Sequence, residues 1–88
     1  MGVTVRLHSF LNEGVETQLQ VDACTTGDCI KEVVRRFPGA EKKMFAKPGQ
    51  LKGYIEVLVN GKTAYPNELT APVANGDVVS LLVLLAGG

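Results

Sequence analysis

The chain has 88 residues, of which 45% are hydrophobic and 20% charged, with nine Lys plus Arg against nine Asp plus Glu. That length holds one small domain with one modest core, and a net charge of zero argues against a dedicated nucleic-acid binder, which carries a basic excess. No apolar run reaches the ~18 residues of a membrane helix. The opening Met1-Gly2-Val3-Thr4-Val5-Arg6 carries neither the apolar stretch of a signal peptide nor the Ser/Thr of a myristoylation signal. The expectation is a cytoplasmic protein with no nucleic-acid and no membrane partner.

Val3-Thr4-Val5-Arg6-Leu7-His8 alternates apolar and polar, the mark of a half-buried strand. Val3, Val5 and Leu7 point inward. After a turn at Asn12-Glu13-Gly14, a second alternating run, Val15 to Val21, completes an antiparallel hairpin. Thr25 with Asp28 three residues on resembles a capping box and opens a helix. Its apolar face is Ile30, Val33, Val34 and Phe37, and its wet face is Lys31, Glu32, Arg35 and Arg36. Pro38-Gly39 stops it.

Residues 40–53 show no clear period. Glu41 to Lys47 reads as a turn of helix ended by Pro48-Gly49, with Met44 and Phe45 plugging an edge of the core. The cluster Lys42, Lys43, Lys47 and Lys52 reads first as a solvated loop and second as a surface for an acidic partner. Tyr54 to Val59 is a third strand, and Asn60-Gly61 is a strong signal for a type I′ hairpin turn. Lys62 to Tyr65 returns as a short fourth strand. Leu69 and Val73 seal one end of the core. After a turn at Asn75-Gly76-Asp77, Val78 to Leu85 forms the last strand. Its nearly unbroken apolar run fits a central strand covered on both faces, or on one face plus a binding partner.

The two cysteines, Cys24 and Cys29, are most simply reduced thiols. Their C-x4-C spacing is half of an iron–sulfur pattern that lacks its other two cysteines, so no metal site is expected. Cys29 lies near a helix start, where its pKa would be lowered, yet a structural role is preferred to a reactive one.

The order strand, strand, helix, strand, short strand, strand defines an α+β protein. It is the order of the β-grasp, or ubiquitin-like, fold: a mixed four- to five-stranded sheet packed on one main helix, with the first and last strands parallel neighbours. Residues 1–85 are read as this domain and residues 86–88 as a flexible Gly-Gly tail. Parity places Ile55, Val57 and Val59 with Val79, Leu81 and Val83 against the helix. It leaves Leu58, Leu82 and Leu84 on the open face, rimmed by Arg6, His8 and Glu56, with Phe10 extending the row. An apolar patch of this kind marks a partner site. His8 taken alone is a surface residue before it is a catalytic base. The patch leads to Leu85-Ala86-Gly87-Gly88, a thin end without Cβ atoms at its last two positions, able to thread a narrow channel.

On these residues the chain resembles the MoaD/ThiS family of ubiquitin-like sulfur-carrier proteins. The resemblance spans nearly the whole length. It rests on the strand order, on Val57-Leu58-Val59-Asn60-Gly61-Lys62, and on Asn75-Gly76-Asp77-Val78-Val79-Ser80-Leu81-Leu82 followed by Ala86-Gly87-Gly88. The longer middle segment, with Met44-Phe45 and Gly49 to Tyr54, looks like the archaeal small modifier-like members and some longer bacterial ones. Val83-Leu84-Leu85 departs from the prolines of many MoaD proteins.

The resemblance implies a carrier rather than an enzyme. In the family a MoeB/ThiF-type ubiquitin-activating-like enzyme uses Mg-ATP to adenylate the terminal carboxylate, here that of Gly88. A sulfur donor then converts the adenylate to a thiocarboxylate. By the same analogy Gly87 and Ala86 permit entry to the enzyme, Leu82 lies near its contact, and no cofactor is bound by the carrier. The sulfur acceptor implied first is a MoaE-like catalytic subunit of molybdopterin synthase, and otherwise another sulfur-accepting enzyme. Two alternatives stand beside this: a protein modifier joined to lysines through Gly88, and a non-covalent β-grasp interaction module. One His, two Cys close in sequence and no carboxylate pair at a candidate site argue against catalysis by the chain itself.

Overall fold

The computed structural model describes residues 2–84. In chain order its elements are β1 (Val3–Leu7), a 3-10 turn (Ser9–Asn12), β2 (Thr17–Val21), α1 (Thr26–Arg36), α2 (Ala40–Met44), β3 (Phe45–Lys47), β4 (Gln50–Leu51), β5 (Ile55–Val59), β6 (Lys62–Thr63) and β7 (Val78–Val83). Five strands make one mixed sheet in the order β2-β1-β7-β5-β6. β1 and β7 run parallel in its middle, with Val5 opposite Val79 and Leu7 opposite Leu81. β5 pairs antiparallel with β7, with Val57 opposite Leu81. This is the β-grasp arrangement.

Side chains alternate across a strand, so the parity of each strand decides what it buries. Val3, Val5, Leu7, Leu19, Val21, Ile55, Val57, Val79, Leu81 and Val83 are buried on one face with Cys29, Ile30 and Val33 of α1. Leu11 and Met44 belong to the same core, and Leu69 and Val73 pack against it, half-buried. The helix starts as its residues dictate. The Thr25 Oγ1 accepts from the Asp28 N–H at 3.2 Å, Asp28 sits in the first turn, and Arg35 and Arg36 sit in the last. A cap of this kind stabilises by about 1 kcal/mol. Gly27 lies so near the Leu69 backbone that a Cβ there would collide with the Leu69 carbonyl oxygen.

Several boundaries differ from the sequence reading, each for a local reason. The 3-10 turn and two positive-φ residues, Glu13 (51°) and Gly14 (85°), use up the connection. β2 therefore begins at Thr17, and Val15 is left 59% exposed. β6 ends at Thr63, before Tyr65. β7 ends at Val83 because its partners run out: Leu7 is the last residue of β1 to face it, and Ile55 is the first of β5. Leu85, assigned to this strand from sequence, and the proposed tail at 86–88 lie outside the described residues. Residues 40–53 hold more structure than their sequence shows. A five-residue helix leads into the β3–β4 ribbon, a separate two-stranded unit turning at Pro48-Gly49.

The two Asn-Gly turns are joined. Asn60 (φ 52°) and Gly61 (φ 84°) adopt the left-handed geometry of a type I′ turn. The Asn60 Oδ1 accepts from the Val78 N–H at 2.9 Å, and its Nδ2 donates to the Asp77 Oδ1 at 3.1 Å. The Asp77 Oδ2 accepts from the Ala74 N–H at 2.9 Å. This clasp lies where β7 begins, at the opposite end of the strand from Leu84.

Candidate functional site

Among the described residues the sheet carries its helix on one face, and the other face can be read from the register. Ser80 of β7 lies between Arg6 of β1 and Leu58 of β5, and Leu82 faces Glu56. Leu58 and Leu82 are half-buried, Arg6 is exposed, and Leu84 is 58% exposed just beyond the strand. Arg6, His8 and Leu82 share the wall of a shallow dent of about 150 Å³, completed by Glu16, Thr17 and Gln18 of the edge strand's approach. This face therefore combines leucine side chains on β7 and β5 with a polar margin on β1 and β2.

His8 is tied into the backbone. Its N–H donates to the Leu81 carbonyl at 3.0 Å, and its Nδ1 accepts from the Phe10 N–H at 3.0 Å, capping the 3-10 turn. That turn breaks the strand alternation, so Phe10 does not join the row of Arg6 and His8 as the sequence reading had it. Its ring instead meets Tyr54 edge-on at the end of the sheet, with centroids 6.2 Å apart.

Tyr54 is a member of the site that sequence reasoning took only for the start of a strand. Its carbonyl accepts from the Leu84 N–H at 2.7 Å, and its hydroxyl donates to the Lys43 carbonyl at 3.0 Å. It thus holds the chain just before the last four residues and ties it to α2. The Lys43 Nζ stands 5.5 Å from the Phe10 ring centroid and the Lys52 Nζ 5.8 Å from that of Tyr54. The bond to Leu84 is made by backbone atoms, so the sequence carries no signal for it. Gly88, Gly87 and Ala86 lie outside the described residues.

A hollow of about 370 Å³ runs beside α1 between Ile30, Val34, Phe45 and Leu69, and Leu84 is not among the residues that line it. Among the described residues no group of three His, Cys, Asp or Glu side chains is placed to hold a metal ion. Cys29, expected to be acidified by the helix start, shows the reverse. Burial pushes its thiol up to about 11, with the neighbouring Asp28 charge adding to the effect. Desolvation of the thiolate outweighs the dipole. Cys24 is exposed. No described helix is long and apolar enough to cross a membrane.

The fold and the one open face define a ubiquitin-like β-grasp protein. Comparison with known proteins narrows this. The chain is 36% identical over 64 residues to small archaeal modifier protein 1 of Haloferax volcanii, covering 73% of this chain and 70% of that one. It is 29% identical over 90 residues to a putative sulfur carrier protein of Archaeoglobus fulgidus, covering the whole of both. It superposes with a TM-score of 0.81, at 26% identity, on a chain of the Amycolatopsis orientalis BexX/CysO complex, covering 99% of this chain and 100% of that one. No family model matches the chain. The chain belongs to the family of ubiquitin-like sulfur carriers and small archaeal modifiers, whose relatives are carrier or modifier proteins.

Proposed function

We propose that this protein carries sulfur as a thiocarboxylate on Gly88, with that residue as its carboxyl terminus. A carboxylate resists nucleophiles, so a separate MoeB/ThiF-type activating enzyme first joins it to AMP from Mg-ATP, releasing pyrophosphate. Hydrosulfide from a sulfur donor then displaces AMP, and the C–OH of the acid has become C–SH. The chain supplies no acid, base or metal in this scheme. It supplies the open face with Leu58, Leu82 and Leu84 for docking, Arg6 and His8 at its margin, and Phe10 at the root of the tail. Gly87 and Ala86 form the narrow end that enters the partner's site in the cytoplasm. The acceptor proposed first is a MoaE-like catalytic subunit, as in molybdopterin synthase. That a CysO chain has been crystallised with BexX shows the fold paired with another protein.

The observation that carries this reading is the alignment, end to end in both chains, with a putative sulfur carrier. The experiment is intact-mass measurement after incubation with Mg-ATP, sulfide and the activating enzyme encoded in the same genome. A gain of about 16 Da, OH replaced by SH on the activated acyl group, is expected. An unchanged mass with enzyme shown active on another carrier would overturn the proposal.

The Haloferax modifier, with the highest identity of the relatives described above, favours a second reading, in which the activated glycine forms an isopeptide bond with a lysine. Trypsin would serve poorly to detect it. The last Lys or Arg of the sequence is Lys62, so a tryptic remnant on the target would be the whole of residues 63–88. A protease that cuts after Leu85 leaves Ala-Gly-Gly on the modified lysine, a mark searchable in cell extracts.

A further inference from the structure

The chain is neutral overall, but its charge is not evenly spread. Residues 42–52 hold four of the nine Lys plus Arg and none of the nine Asp plus Glu. Folding gathers this segment as the end of α2, the β3–β4 ribbon and the approach to β5. Two of the four lysines then lie over aromatic rings. Lys43 stands over the Phe10 ring and Lys52 over the Tyr54 ring, and the two rings meet at near right angles. Neither ammonium has a carboxylate within 4.0 Å among the described residues, where the salt bridges are those of Glu32 with Arg35 and Arg36. The same Tyr54, through its backbone carbonyl, accepts the Leu84 N–H, so the ring pair is built on the residue that anchors the chain where it leaves the sheet. A lysine held on an aromatic face loses less freedom on binding than one free in solvent, and the ring contact contributes about 0.5–1 kcal/mol at an exposed site.

We propose that Lys43 and Lys52, seated on the Phe10–Tyr54 ring pair, form a basic collar around the root of the tail. The collar docks on a carboxylate-bearing lip around the mouth of the enzyme site that receives the tail. The proposal rests on the activation reading above and adds the chemistry of the partner's surface. The collar acts before the acyl chemistry, by speeding and orienting the encounter. Leu58 and Leu82, on the open face, supply the uncharged part of the contact.

The test is ATP–pyrophosphate exchange by the activating enzyme of the same genome, with the concentration of this protein varied at several ionic strengths. The Lys43→Gln/Lys52→Gln variant is expected to raise the KM for the carrier about tenfold at low salt, a loss of steering of ordinary size, with kcat held. Its KM should also depend less steeply on salt than that of the unaltered chain. A Lys31→Gln/Lys62→Gln variant makes the same change in net charge away from the collar and should leave KM within about twofold. Circular dichroism and the thermal midpoint check that both variants fold. Equal KM and equal salt dependence in the collar variant and the unaltered chain would overturn the proposal. So would a control pair that raises KM as much as the collar pair, since the effect would then be net charge alone. Absence of exchange with the unaltered chain would overturn the activation reading itself, and the collar with it.

Discussion

Replacing Asn60 separates two things the Asn60–Gly61 turn does. The residue sits at φ 52°, and its Oδ1 accepts the Val78 N–H at 2.9 Å. Asn60→Gly keeps the backbone geometry and loses the side-chain bonds. The Val78 bond contributes about 1 kcal/mol. The Asp77 contact and the Val78 bond are both solvent-exposed, which keeps their joint loss near this figure. Asn60→Ala loses the same bonds and keeps a Cβ in the left-handed region without the local polar contacts that let asparagine sit there, which leaves it ~1–2 kcal/mol less stable than the glycine variant. The expected destabilisation is therefore about 1 kcal/mol for the glycine variant and about 2–3 kcal/mol for alanine. In a domain of this size each kcal/mol lowers the thermal midpoint by roughly 4–8 °C. Calorimetry should thus show midpoints falling by about 4–8 °C and 8–24 °C in turn. Both variants should still be activated normally well below their midpoints, since the clasp lies at the far end of β7 from Leu84. Equal midpoints for the two variants would refute the backbone argument, and midpoints within a degree or two of the parent would refute the clasp itself.

The acid limb of the stability curve follows from the same clasp. The Asn60 side chain, and then the Ala74 N–H, hold the Asp77 carboxyl below its ordinary value of 3.8. A depressed folded-state pKa contributes stability that is complete above the ordinary value and is lost as pH falls through the folded one. Asp77→Asn should flatten stability against pH below 4, and Asn60→Gly should start acid unfolding at a higher pH; acid titrations followed by circular dichroism measure both. Thiol labelling with iodoacetamide at neutral pH should modify Cys24 and spare Cys29, whose buried thiol is pushed up to about 11. Two labels on the native protein, counted by mass, would contradict that burial. Leu82→Glu should leave the thermal midpoint within a few degrees, because the open face of β7 is not covered by α1, and should raise the KM in the exchange assay at least tenfold by putting a charge in an apolar contact. A large fall in midpoint with unchanged KM would show Leu82 to be a core residue instead.

Much of this architecture was readable because period-2 alternation survives folding. One polar residue, Ser80, inside an otherwise apolar run was enough to set the parity of β7. The buried Val79, Leu81 and Val83 lie on the side it assigns. Residues 40–53 resisted for the opposite reason. A helix of five residues and strands of two and three are shorter than the periods that would reveal them. They are held by contacts from elsewhere, such as the fully buried Met44 and the Tyr54 hydroxyl on the Lys43 carbonyl. The anchoring of Leu84 was invisible because it is a backbone hydrogen bond, which leaves no mark on residue choice.

The open face carries its own argument about why β7 is so apolar. β1, β2 and β5 turn Thr4, Arg6, Gln18, Gln20 and Glu56 toward that side, as a solvated sheet face requires. β7 turns Val78 and Leu82 there instead, with Leu58 beside Ser80. A central strand with one face in water has no folding reason to keep leucine on the wet side, since the inward residues alone fill the core. The outward leucines also lie toward the end of the strand from which residues 85–88 continue. Selection for stability would have polarised this face evenly across the sheet. A face polar on β1 and β2 but carrying Val78 and Leu82 on the strand that leads to Leu84 is what a docking surface requires if binding must also aim the residues that follow.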